Sequence, residues 1–346
     1  MAEKIDMEIE KYQAAIKKAP GNAAAHKDLG LAYGLKGQYE EAVKEIEEAI
    51  KLAPDIPEAH FGLGLTYDAL GRMEDAVEEY RKAIQLEPNY KDARLALATS
   101  LVHMGMIDDA LPEFKTLLHQ DVDNVNTYIG FGQALFSAGY DNDAVEMFQE
   151  ALKREPKSYE AHMYLGGIYS DRDNLPEAYK EFKAAIDADP SKPEAYYNLA
   201  ITLSDQAEPA EAIQYYRLAI SNAPDFIEAR YNLAMLLDRR NMIDQAIAEY
   251  EKIKEFDPEF PDAYNRLGID YCRKGDTVKA AEEFKKAFQK DPEFAQAHYN
   301  LGMLYFGNER FAEAIKEFEK AIEIDPEYLE AHNSLAITQV KKGSKQ

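Results

Sequence analysis

Asn198, Asn232 and Asn300 fall on one series of positions spaced 34 residues apart, with Arg266 filling the remaining place between them. A carboxamide offers a donor and an acceptor side by side, so such a column has the chemistry to pair with the main chain of an extended peptide. Two further guanidinium groups, Arg239 and Arg273, flank Arg266 in sequence, and their planar forks suit a partner's carboxylate. Asp262 and Asp270 lie four residues to either side of Arg266, at the spacing of helical neighbours, so ion pairing within the helix is the favoured alternative. His26, His60, His162, His298 and His332 recur at one phase of the same series, too regularly for neighbouring copies to converge on a metal ion. The single cysteine, Cys272, has no histidine placed by sequence to activate it. No H-E-x-x-H, phosphate-binding loop, C-x-x-C or complete G-x-G-x-x-G occurs; Gly62 and Gly64 are followed by Tyr67. Asp121 and Asp123 begin like a calcium loop, but its glycine and closing glutamate are missing. The expectation is a protein that binds, with no catalytic residue, no cofactor and no metal.

These side chains must be held by elements that repeat with them. Ala42, Ala76, Ala110, Ala144, Ala178, Ala212, Ala246, Ala280 and Ala314 keep the 34-residue period, as do prolines from Pro20 to Pro326 with one gap at Val122. With units counted from Ala23, position 8 is always Gly or Ala and position 24 is nearly always aromatic. A first helix carries apolar residues at positions 3, 7, 8 and 11 (Ala59, Leu63, Gly64, Tyr67), and a second at 20, 21, 24, 27 and 28 (Ala76, Val77, Tyr80, Ala83, Ile84). Small residues at 8 and 20 allow close approach of the two backbones. Glycine near position 15, as at Gly37 and Gly275, suits the turn, and proline at 32 ends the second helix. Pro176 and Pro209 fall at the start of a second helix, where proline is tolerated.

The set A-x-x-L-G-x-x-Y followed by A-x-x-x-F, A and P, as in Ala297, Leu301, Gly302, Tyr305, Ala314, Phe318, Ala321 and Pro326, resembles the tetratricopeptide repeat. The resemblance covers essentially the whole chain as nine units: 23–56, 57–90, 91–124, 125–158, 159–192, 193–226, 227–260, 261–294 and 295–328. Residues 1–22 read as a lone second helix, and 329–346 as a capping first helix and tail, more polar at Gln339. Leu117 and Val122 break the pattern and mark 117–125 as the expected irregular joint. The resemblance implies an all-α, right-handed α-solenoid superhelix whose concave wall is lined by positions 2, 5, 6, 9, 12 and 13 of the first helices. On that wall positions 5 and 9 form an apolar, aromatic and methionine-rich floor, suited to apolar anchors of a peptide or to packing between neighbouring helices. The peptide-binding residues expected on it are Tyr197, Asn198, Tyr231, Asn232, Met235, Arg239, Arg266, Arg273, Tyr299, Asn300 and Met303. The acidic residues at position 2, Asp92 and Glu228 among them, are accounted for by the helix dipole. The Lys/Asn clamp of chaperone-binding members is not matched.

Composition narrows the partners. The chain has 64 acidic and 40 basic side chains, a formal net charge of −24 that repels nucleic-acid phosphate and anionic lipid. No apolar run is long enough to span a bilayer, no secretory leader is legible, and one cysteine fits a reducing compartment, so a cytoplasmic location is expected. The expected function is a scaffold or adaptor gripping a peptide segment of a protein partner. The alternatives are self-association into a homo-oligomer and service as the targeting arm of a catalytic subunit on another chain.

Overall fold

The computed structural model describes residues 2–205 and 208–344. Met1, Lys345 and Gln346, at the outer ends of the expected terminal segments, lie outside the described residues, as do Gln206 and Ala207 in the unit expected at 193–226. Among the described residues every regular element is an α-helix. The chain divides into two compact units, residues 1–172 and 173–346, and the division falls inside the fifth expected repeat.

The first unit contains α1 (Ala2–Lys18), α2 (Ala23–Leu35), α3 (Tyr39–Leu52), α4 (Pro57–Ala69), α5 (Met73–Leu86), α6 (Lys91–His103), α7 (Ile107–Gln120), α8 (Val125–Ser137), α9 (Asp141–Arg154) and α10 (Tyr159–Asp171). The second contains α11 (Leu175–Ala188), α12 (Pro193–Asp205), α13 (Pro209–Asn222), α14 (Ile227–Arg239), α15 (Ile243–Phe256), α16 (Pro261–Arg273), α17 (Thr277–Lys290), α18 (Ala295–Gly307), α19 (Phe311–Ile324) and α20 (Leu329–Ser344). Within each unit a helix packs on those next to it in sequence, and alternate helices also touch, which is the layered arrangement of an α-solenoid.

Packing follows the small-and-large pattern. Ala76, Ala110, Ala144, Ala246, Ala280 and Ala314 are wholly buried, and the rings of Tyr80, Phe114, Phe148, Tyr250, Phe284 and Phe318 are buried beside them. Each such ring contributes ~2–3 kcal/mol by leaving water. At position 8 glycine admits its ring so closely that a Cβ on Gly302 would lie 2.6 Å from Cε1 and 2.7 Å from Cδ1 of Phe318.

Among the described residues, most turns from a first to a second helix close in one way. Gln38 N–H donates to the Tyr33 carbonyl at 2.9 Å and Arg310 N–H to the Tyr305 carbonyl at 2.9 Å, a bond that spans the turn's left-handed residue. Gly37 and Gly275 hold that residue at φ 78°, and Asn241 and Glu309 adopt it at φ 58° and 59°. Pro176 and Pro209 lie in the first turns of α11 and α13, as the pattern predicts.

Two expectations are corrected. The joint at 117–125 has a regular backbone: Asp121 N–H closes α7 on the Leu117 carbonyl at 2.8 Å, as Ala53 closes α3 on Ala49 at 2.9 Å. Asn124 then caps α8, its side chain accepting from Thr127 N–H at 3.2 Å, while Leu117 is buried where other units bury alanine. Proline is therefore dispensable here, because main-chain and capping bonds already turn the chain. The capping helix α20 is less polar than expected, with Leu329, Ile337 and Val340 all exposed.

Replacing Gly302 by valine is expected to force Phe318 out of its well and cost ~1–3 kcal/mol, visible as a lower urea midpoint. Ala234→Gly, where Tyr250 already leaves room for a methyl group, is expected to cost only ~1 kcal/mol of helix propensity. An unchanged midpoint for Gly302→Val would contradict the close-packing account.

Candidate functional site

All the expected peptide-binding residues lie in the second unit, on α12, α14, α16 and α18. Their tyrosine rings are consumed by packing. Tyr197 lies 6.1 Å from Tyr216 and 4.9 Å from Phe226, Tyr231 lies 6.0 Å from Tyr250 and 5.5 Å from Phe260, and Tyr299 lies 5.8 Å from Phe318 and 5.1 Å from Tyr328. Each is a position-5 ring held between the ring at 24 of its own repeat and the aromatic residue that leads into the next. Aromatic contacts at these separations are favourable in their own right.

In the asparagine column, Asn232, Arg266 and Asn300 bond from one repeat to the next. Asn232 Nδ2 donates to the Tyr197 hydroxyl at 3.0 Å, Arg266 Nε to the Tyr231 hydroxyl at 3.3 Å, and Asn300 Nδ2 to Asn265 Oδ1 at 2.8 Å. Position 6 thus reaches back 35 residues to position 5 of the preceding repeat. The same crowding explains glycine there in the first unit: a Cβ on Gly62 would meet Leu31 Cδ2 at 2.5 Å, and one on Gly130 would meet Phe114 Cε1 at 2.8 Å. Burial and the nearby Glu228 carboxylate push the Tyr197 hydroxyl above its ordinary range, and the bond from Asn232 opposes them.

The arginines separate into three situations. Arg266 makes no ion pair with Asp262 or Asp270; burial works against its charge, and the Tyr231 hydroxyl with Tyr250 and Asp238 outweighs that, raising its pKa. Burial raises Asp262 more than Arg266 lowers it. The expected pairing is instead made by Arg273, whose Nη1 lies 3.4 Å from both Asp238 Oδ1 and Asp270 Oδ1, and whose Nη2 donates to Asn241 Oδ1 at 3.2 Å. Arg239 is exposed and takes no carboxylate partner among the described residues. Met303 is exposed, and Met235 is half-buried. Cys272 is half-buried, and burial pushes its thiol up, away from the thiolate a nucleophile needs.

The position-4 histidines do more than fill space. The ring nitrogens of His60 lie 2.6 Å from Glu79 Oε2 and 3.0 Å from the Pro54 carbonyl, and those of His26 lie 2.6 Å from Glu45 Oε2 and 3.1 Å from the Pro20 carbonyl. Arg230 takes the same two acceptors, donating to Glu249 at 2.7 Å and to the Pro224 carbonyl at 2.9 Å, and Arg94 pairs likewise with Glu113 and Pro88. Tyr196 and Tyr264 reach only the carbonyls of Pro190 and Pro258. The side chain at position 4 therefore ties most first helices to the preceding turn, His298 reaching Glu317 alone among the described residues, and a glutamate nineteen residues on was the signal in the sequence.

A second missed feature lies at the edge of the arginine cluster. Tyr250 donates to Asp238 Oδ2 at 3.2 Å, and Asp270, wholly buried, faces the same carboxyl with an Oδ2 that finds no donor. In the first unit the same triangle is built from Tyr80, Asp68 and Ser100, whose hydroxyl donates to Asp68 Oδ2 at 3.0 Å. Asp270 stands where that serine stands. A proton on Asp270 restores the missing donor, and burial, then the bond to Asp238 and its charge, pushes its pKa up to about 8 against the pull of Arg273.

Three family models described as tetratricopeptide repeat match the chain: one at residues 36–91, 129–193 and 265–328, a second at 69–135 and 203–267, and a third at 11–44 and 181–214. The chain belongs to the tetratricopeptide-repeat family. No curated protein sequence matches it. Among solved structures, "YrrB: a TPR protein with an unusual peptide-binding site" is 26% identical, with a TM-score of 0.47, covering 53% of this chain and 95% of its own. MamA is 29% identical with a TM-score of 0.46, covering 50% of this chain and 94% of its own. TTC0263, a thermophilic TPR protein of Thermus thermophilus, is 23% identical with a TM-score of 0.45, covering 53% of this chain and 99% of its own.

The raised pKa of Asp270 is expected to make the stability of the second unit depend on pH. An unfolded carboxyl titrates near ~4, and in the folded chain the pKa is pushed up to about 8. Between these values the native state holds a proton that the unfolded state does not. Its stabilising contribution is therefore complete below the lower value and is lost progressively as the pH rises through the upper one. Asp270→Ser, copying Ser100, is expected to flatten the urea midpoint between about pH 5 and 9 and to exceed the wild type at the alkaline end. Parallel profiles would show that Asp270 carries no such proton.

Proposed function

We propose that this protein is a non-enzymatic scaffold that binds an extended peptide segment of a protein partner along the face formed by α12, α14, α16 and α18. Membership of the tetratricopeptide-repeat family supports an interaction scaffold in general. Among the described residues, no helix is long and apolar enough to cross a membrane.

The observation that carries the peptide reading is the hydrogen-bond accounting of the asparagines. Asn232 and Asn300 each commit Nδ2 to the preceding repeat, and each leaves Oδ1 without a partner among the described residues. A carboxamide pinned through its nitrogen presents a fixed acceptor, and acceptors repeated along one wall suit the N–H groups of an extended chain. Met235, Met303 and the unpaired Arg239 border them, supplying adaptable apolar contact and one cation for a partner's carboxylate. Arg273 is left out of this reading, since its fork already contacts Asp238, Asp270 and Asn241.

Affinity capture with the wild type and with Asn198, Asn232 and Asn300 all changed to alanine tests the assignment. The triple variant is expected to hold a captured partner at least about ten-fold more weakly, each lost charge-neutral bond being worth ~1 kcal/mol. Arg239→Ala alone is expected to weaken the capture of acidic partners only, and to reduce the salt dependence of that capture. Equal capture by wild type and triple variant would remove the face from consideration.

A further inference from the structure

The first unit holds a cleft of about 500 Å³ between α4 and α6, walled by Phe61, Leu65, Met73, Leu95 and Thr99, with Asp68 in its lining. The equivalent cleft of the second unit, between α16 and α18, is about 440 Å³ and has Ile269, Met303 and Phe284 in the places of Leu65, Thr99 and Tyr80. There Cys272 stands where the first unit has Asp68. At this place the two clefts therefore present a carboxylate and a thiol respectively.

Asp68 gives the buried Tyr80 hydroxyl its acceptor, and it does so with one oxygen only. Tyr80 donates to its Oδ2 at 2.5 Å and Ser100 to the same atom at 3.0 Å, so both protein donors fall on one oxygen. Oδ1 accepts nothing from the described residues. Burial, and then the bond to Asp68, keep the Tyr80 hydroxyl protonated, so it remains a donor and the carboxylate stays oriented. The surroundings are negative as well: Asp92 also lines the cleft, and the charges of Glu58, Asp92 and Glu87 add to burial in pushing the neighbouring Tyr90 hydroxyl up to about 12. Phe61, whose ring lies 5.1 Å from that of Tyr90, completes an aromatic wall. An apolar passage leading to one oriented carboxylate oxygen in a negative field fits an aliphatic stem that ends in a cation. A guanidinium fork is satisfied best by both oxygens of a carboxylate, whereas an ammonium is a point charge that one oxygen can take.

We propose that the cleft between α4 and α6 is a second binding site, which takes a lysine side chain of a partner's extended segment, its stem against Leu65 and Leu95 and its ammonium on Asp68 Oδ1. The site is made of different residues from the asparagine face, and either can fail without the other.

The test uses the full chain and surface-bound synthetic peptides of about nine residues, built on one alanine and leucine sequence with lysine, arginine, glutamine or norleucine at the centre. The wild type is expected to retain the lysine peptide at least about ten-fold better than the glutamine or norleucine peptide, and better than the arginine peptide. Asp68→Asn, which can still accept from Tyr80 and Ser100, is expected to abolish that preference with helicity unchanged. Thr99→Arg, which sets a competing cation in the cleft, is expected to abolish it independently, whether or not the first variant folds. The triple alanine variant of Asn198, Asn232 and Asn300 is expected to keep it. The inference is overturned by a wild type with no preference for lysine, by a preference that survives both cleft variants, or by one that disappears with the asparagines.

Discussion

The close approach of paired helices, made possible by a small residue facing a large ring, is the contact on which the rest depends. Gly64 against Tyr80, Gly132 against Phe148, Gly268 against Phe284 and Gly302 against Phe318 leave no space for even one methyl group. Packing density of this kind sets the distance between the two helices of a pair. Every further contact, from ring stacking to the reach of an asparagine, inherits that distance. Because the constraint is local to each pair, it can be repeated along a chain without a central core.

Polar side chains then tie neighbouring repeats together at spacings that recur. Position 6 reaches back 35 residues to position 5, as Asn232 does to Tyr197, and position 4 joins a preceding carbonyl to a glutamate nineteen residues ahead, as Arg230 does. A half-buried donor or acceptor left unpaired is costly, so a partner supplied by the adjoining repeat lets the stack carry polar groups close to its core. The consequence for binding is selective. Of the residues expected to bind, the tyrosine rings and two of the three arginines are already engaged among the described residues, and the proposed binding reading rests on the remaining acceptors, methionines and Arg239.

Repetition also lets one geometry hold different chemistry. Asp68 with Tyr80 and Ser100, and Asp238 with Tyr250 and Asp270, are the same triangle in two places. Exchanging a hydroxyl for a carboxyl changes a permanently neutral donor into one that depends on a proton. The first triangle leaves an oriented carboxylate beside an apolar cleft; the second closes on itself with Arg273. Charge and hydrogen-bond supply thus differ between the two units although the backbone pattern is shared.

Amino-acid order alone determined the helix pairs, their period and their turns, because a 34-residue recurrence of alanine, aromatic residue and proline admits few other backbones. Ala314 and Phe318 are buried where that period puts them, and the left-handed turn residue falls at Gly37 and Gly275 as glycine there implies. Only tertiary structure decided which polar groups remain available. Asn300 and Asn265 meet although 35 residues part them, Arg266 turns to Tyr231 and not to the aspartates four residues away, and Asp270 is enclosed facing another carboxyl. The physical reason is one of range. Helix periodicity is written in neighbours three and four residues apart, whereas the fate of a side chain on the shared wall depends on atoms brought beside it by the next repeat.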